Sequence, residues 1–99
     1  MKNAPIRAAG IAWFRPEDYD RCRQLFIDGD KLAETYQEWH RAAQRAFDQF
    51  TAAGHLVERA YLDPETFPAW CTARGLQIDA NARMQFANEA VDRKYANQS

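Results

Sequence analysis

A chain of 99 residues has room for one domain and one core. Hydrophobic residues make up 46% of it and aromatic residues 13%, which excludes an intrinsically disordered chain. Thirteen basic against fourteen acidic residues leave a formal net charge of −1, so no overall charge draws it to nucleic acid or to an anionic membrane surface.

Residues 5–14 open on Pro5 and read as a strand that ends before Pro16. Alternation sets Ile6, Ala8, Gly10, Ala12 and Phe14 on one face and Arg7, Ala9, Ile11 and Trp13 on the other. Gly10 inside that strand points to a bulge or to close approach of another backbone. Arg7 and Arg15 bound residues 8–14, so this apolar run does not read as a secretory signal. No stretch approaches the ~20 apolar residues of a membrane span. These features lead us to expect a soluble cytoplasmic protein.

Pro16 suits the first position of a helix, with Glu17 and Asp18 placed to favour the positive end of its dipole. Phe14 and Tyr19 stand at staple spacing, and Cys22, Leu25 and Phe26 continue the buried stripe. Asp28-Gly29-Asp30 reads as a turn. A second helix follows the T-x-x-E capping box of Thr35 and Glu38, with Tyr36, Trp39, Ala43, Ala46, Phe47 and Phe50 on its apolar side and Gly54 closing it.

The pattern then restarts. Residues 55–62 read as a strand, with Leu56, Ala60 and Leu62 on one face and Val57 and Tyr61 on the other. Asp63 and Pro64 open a third helix, with Leu62 at staple spacing from Phe67. Pro68 interrupts its first turn and Gly75 ends it. A last helix is capped by Asp79, with Met84, Ala87, Val91 and Tyr95 as the expected buried stripe, and residues 96–99 are expected to fray.

Residues 12–19, Ala-Trp-Phe-Arg-Pro-Glu-Asp-Tyr, echo residues 60–67, Ala-Tyr-Leu-Asp-Pro-Glu-Thr-Phe, at an offset of 48 (60 − 12). The order strand–helix–helix is written twice, in half-repeats of about 5–54 and 55–95 within one domain, 1–99. If each element reverses direction, the second strand runs opposite to the first. The expected fold is therefore α+β, β-α-α-β-α-α with a pseudo-two-fold axis. It has a two-stranded antiparallel sheet, extended in a dimer or not, and four helices mainly on one face. So thin a sheet leaves two unpaired edges, which favours homodimerisation.

Few residues point to chemistry. The echo places Glu17 and Glu65 symmetrically, and paired carboxylates can share a proton or bind a metal, though an acidic residue after proline is ordinary at a helix start. Cys71 and Cys22 carry thiols, yet both fall on apolar helix faces and neither His40 nor His55 stands at a telling spacing. No metal-ligand spacing or phosphate-binding glycine motif is present, so no metal and no cofactor is expected. Trp13, Ile11, Val57 and Tyr61, rimmed by Arg59 and Arg7, form an interaction surface if that face of the sheet is bare, and core if it is covered.

Residues 12–19 with 35–39, and above all residues 63–76, resemble a group of small bacterial proteins of unknown function, over most of the chain after its first ten residues. The resemblance implies a compact bacterial cytoplasmic domain and brings no activity, ligand or catalytic residue with it. Three readings follow. The first is a protein-interaction or homodimerisation module without catalysis. The second is a small enzyme with a carboxylate or cysteine site near the axis, drawing on Glu17, Glu65 or Cys71. The third is a nucleic-acid-associated factor using Arg7, Arg41, Arg45 and Arg59, against which the neutral charge balance argues.

Overall fold

The computed structural model describes residues 8–95. The expectations placed on Pro5, Ile6, Arg7 and residues 96–99 lie outside the described residues. Strand β1 (Ala8–Trp13) leads through a 3-10 turn at Pro16–Asp18 into α1 (Tyr19–Leu25), and a second 3-10 turn at Gly29–Lys31 precedes α2 (Tyr36–Ala52). Strand β2 (Leu56–Tyr61), α3 (Phe67–Ala73) and α4 (Ala80–Tyr95) complete the α+β domain. No helix among the described residues is long and apolar enough to cross a membrane.

Local chemistry explains most of these boundaries. The Thr35 hydroxyl accepts from Glu38 N–H at 3.1 Å, the cap that the T-x-x-E spacing announced and one worth about 1 kcal/mol. Asp79 caps α4 in the same way, accepting from Ala82 N–H at 3.1 Å. Gly54 and Gly75 end α2 and α3 with φ of 96° and 67°, values that favour glycine. Both proline-led starts begin later than expected. Pro16 opens a single 3-10 turn, and α1 starts at Tyr19. After Pro64, Asp63 folds a turn by accepting from Glu65 N–H at 2.8 Å, and α3 starts at Phe67.

The strands pair parallel, not antiparallel, with Ala8 opposite Leu56 and Trp13 opposite Tyr61. The expected reversal at every element fails because α1 is only seven residues long and is followed by an irregular stretch. That stretch lets α2, at seventeen residues, serve alone as the crossover helix that parallel strands require. A dyad perpendicular to the sheet would make the strands antiparallel, so that axis is excluded. The ladder offset, 56 − 8 = 48, nevertheless equals the offset of the sequence echo.

The helices also do not gather on one face. Trp13 packs on Trp39 and Phe47 of α2, with ring centroids 5.1 and 6.2 Å away. On the opposite face Gly10 lies against α4, where a built Cβ would stand 2.4 Å from Ala87 O and 2.7 Å from Val91 Cγ2. The close approach expected at Gly10 is therefore real, and it lets the α4 backbone seat on β1. Along α4 the buried residues are Ala82, Ala87 and Val91, with Phe86 half-buried beside them, while Met84 is 62% exposed and not part of the stripe.

The main core lies where the C-terminal ends of both strands run into the helices. Phe14, Tyr19, Cys22, Phe26, Leu62, Phe67, Cys71 and Ala82 form one buried cluster. Each large side chain withdrawn from water there contributes about 1.5–3 kcal/mol. Phe14 meets Tyr19 at 5.7 Å, edge to face, as their staple spacing suggested. Arg83 of α4 ties this end together by a two-pronged bond to Asp28, 2.9 Å on each arm, with its guanidinium over Phe26.

Candidate functional site

Each sequence-derived candidate can be placed. Glu17 is exposed in the turn before α1, and Glu65 is exposed and ion-paired with Arg21. Glu65 thus has a cation as its neighbour rather than a second carboxylate. Cys22 and Cys71 are both fully buried and free. Burial, followed by the nearby Asp18 and Asp63 charges, pushes the Cys22 thiol up to about 12. Burial likewise raises Cys71, with Asp79 adding to it. Both thiols therefore stay protonated at neutral pH, the unreactive form.

The histidines stand among aromatic rings. His40 lies 5.8 Å from Trp13 and 5.5 Å from Tyr36, and His55 lies 5.8 Å from Phe50. Among the described residues no group of three or more His, Cys, Asp or Glu side chains is placed to hold a metal ion. A shallow depression of about 350 Å³ is lined by Asp20, Arg23, Gln24, Gly29 and Asp30. Its guanidinium, that of Arg23, already donates to Gly29 O and Glu34 O.

The proposed strand-face surface divides. Trp13, 3% exposed, is core beneath α2, and Ile11 and Val57 are half-buried. Tyr61 is 45% exposed, so the two residues matched by the echo occupy different surroundings. Arg59 is exposed over the same face, with its guanidinium 4.7 Å from the Trp13 ring and 4.0 Å from the Phe47 ring, donating to Gln44 Oε1 at 3.1 Å. Arg15 covers the Tyr61 ring at 4.5 Å. Arg7 lies outside the described residues.

Among the described residues neither edge of the sheet has a hydrogen-bond partner, and the outer edge of β2 is the more exposed of the two. Trp13 O accepts from Leu62 N–H at 3.0 Å, which fixes the alternation of the parallel ladder. By that alternation the N–H and C=O groups of Val57, Arg59 and Tyr61 turn away from β1. Among the described residues no hydrogen bond reaches them. Leu56 and Tyr61, at the two ends of this edge, are 42% and 45% exposed, and Phe50 in the last turn of α2 is 43% exposed rather than buried as its helical spacing suggested.

One constellation went unnoticed in the sequence. Glu58, on the α4 face, accepts from Lys94 Nζ at 2.8 Å and from the Tyr95 hydroxyl at 2.5 Å. Those two hydrogen bonds, Lys94 first, hold its carboxyl below the usual glutamate range. A carboxylate on the inner face of a strand, opposite a glycine, was the available signal that a partner must reach it. Comparison with family models, with curated proteins and with solved structures gives no match for this chain.

Proposed function

We infer that this chain is a protein-interaction module whose first partner is a second copy of itself. The observation that carries the reading is the β2 edge, where Val57, Arg59 and Tyr61 present outward N–H and C=O groups that no hydrogen bond among the described residues reaches, with Leu56 and Tyr61 exposed. A two-stranded sheet is marginal in water, and an open edge is a template for another strand. Helices α2 and α4 cover the faces, so further pairing is available along the edges alone. The reading needs no catalytic group, and the thiols best placed by sequence are buried and protonated.

Light scattering coupled to size exclusion tests it. A species of twice the chain mass at micromolar concentration is the expected result. A single monomeric species up to millimolar concentration removes the reading.

A further inference from the structure

We propose that two copies pair their β2 strands antiparallel, with Ala60 on the two-fold axis and Arg59 of each copy opposite Tyr61 of the other. This deepens the self-association reading and rests on it. The choice of edge comes from the helices. Helix α4 lies chiefly over β1, its backbone seated on the face of Gly10, and along β1 Ala8 alone is exposed, whereas Leu56, Arg59 and Tyr61 of β2 all are. The β2 edge stands farther from it and carries the exposed Leu56 and Tyr61.

The choice of register comes from charge. The chain remains extended through Leu62, whose N–H still reaches Trp13 O. Over residues 56–62, three symmetric antiparallel registers pair five residues or more. One centres on Glu58 and sets carboxylate against carboxylate. The next centres on Arg59 and sets guanidinium against guanidinium. Like charges directly opposite are destabilising. The third centres on Ala60, a small residue, and brings each Arg59 opposite a Tyr61 ring.

This third register repeats a contact the chain already makes. Arg15 lies over one face of Tyr61, and Arg59 lies over Trp13 and Phe47. Arg59 and Tyr61 both project on the α2 face, two residues apart, and both are exposed. A strand with a cation and a ring at that spacing is complementary to its own antiparallel copy once Arg59 turns from Trp13, Phe47 and Gln44 to Tyr61 of the other copy, on the ring face that Arg15 leaves open. The same edge supplies the outward backbone groups of Val57, Arg59 and Tyr61 for the ladder. That self-complementarity is what selects a second copy as the occupant.

A cysteine scan reads the register directly. In the proposed pairing the two Ala60 residues form a non-hydrogen-bonded pair with Cα atoms about 4.5 Å apart, within disulfide reach. Ala60→Cys, Glu58→Cys and Arg59→Cys are oxidised mildly beside the unsubstituted chain, whose buried Cys22 and Cys71 set the background. The expected result is a covalent dimer formed fastest by Ala60→Cys.

Because Ala60 is itself buried, a second pair of variants stands beside the scan. Tyr61→Arg places guanidinium against guanidinium across the pair and weakens dimerisation on the order of tenfold, with the helical circular dichroism unchanged. Adding Arg59→Tyr exchanges the two side chains, restores the pairing and recovers the dimer. Fastest cross-linking at Glu58→Cys or Arg59→Cys overturns the proposal. So does a Tyr61→Arg chain that dimerises as before, and in both cases self-association itself survives. An unsubstituted chain that stays monomeric overturns both.

Discussion

Gly10 shows how one missing methyl group sets the distance between a strand and a helix. A Cβ at this position would press on Ala87 O, a backbone atom that cannot rotate aside, as well as on Val91. Gly10→Ala should therefore destabilise the fold by about 1–3 kcal/mol, the usual cost of overpacking, even though alanine is otherwise the better residue in a strand. Urea unfolding measures this, and a variant as stable as the parent would show that α4 can lift from β1 without cost. The glycine was legible in the sequence as a position of close approach because an interior strand glycine needs a reason. Its partner was not legible, since Ala87 lies 77 residues on (87 − 10) and alanine announces nothing. Trp13 and Tyr61 teach the opposite lesson. Their matched sequence contexts suggested matched environments, but one is roofed by α2 and the other stands at a bare edge.

At the scale of elements, local signals placed the strands and helices well because caps, prolines and periodicity act over a few residues. Both strands fall within the residues expected, and Thr35, Gly54, Gly75 and Asp79 mark helix ends as read. Strand direction was not readable. It depends on whether α1 spans the sheet, and seven residues followed by an irregular stretch do not. The bond between Arg83 and Asp28 was equally hidden, joining residues 55 apart and fastening the start of α4 to the segment after α1.

That bond carries a pH signature. The Arg83 hydrogen bond holds the Asp28 carboxyl below its ordinary range. A carboxylate whose folded pKa is lowered stabilises the fold above its unfolded value, near 4, and loses that contribution as pH falls through the folded value. Arg83→Met should cost about 2 kcal/mol at neutral pH, because it strands a partly buried charge. The difference between parent and variant should shrink below about pH 4. Thermal melts at several pH values check this, and a difference that stays constant into acid would assign the cost to lost packing on Phe26 instead.

For the molecule as a whole, the arrangement is a thin parallel sheet with a helix on each face and, among the described residues, no hydrogen-bond partner along its edges. Its aromatic core fills the space beyond the C-terminal ends of the strands, where open α/β sheets commonly hold ligands. If folding and self-association are linked, the unfolding midpoint must rise with protein concentration, because binding that favours the folded chain stabilises it by mass action. A scan over a hundredfold range of concentration should show that rise, and a midpoint independent of concentration would separate stability from assembly. The thin sheet on which the expectation of an assembling module rested was readable, and the structure has two strands in it.

The seat of α4 on Gly10 also bears on how the chain matures. Synthesis proceeds from the N-terminus, so the uncharged strand Ala8–Trp13 emerges long before the helix that roofs it. Until Ala87 and Val91 arrive, the nascent protein carries a sticky ribbon with one side bare, and this packing can form only once the chain has been made through Val91.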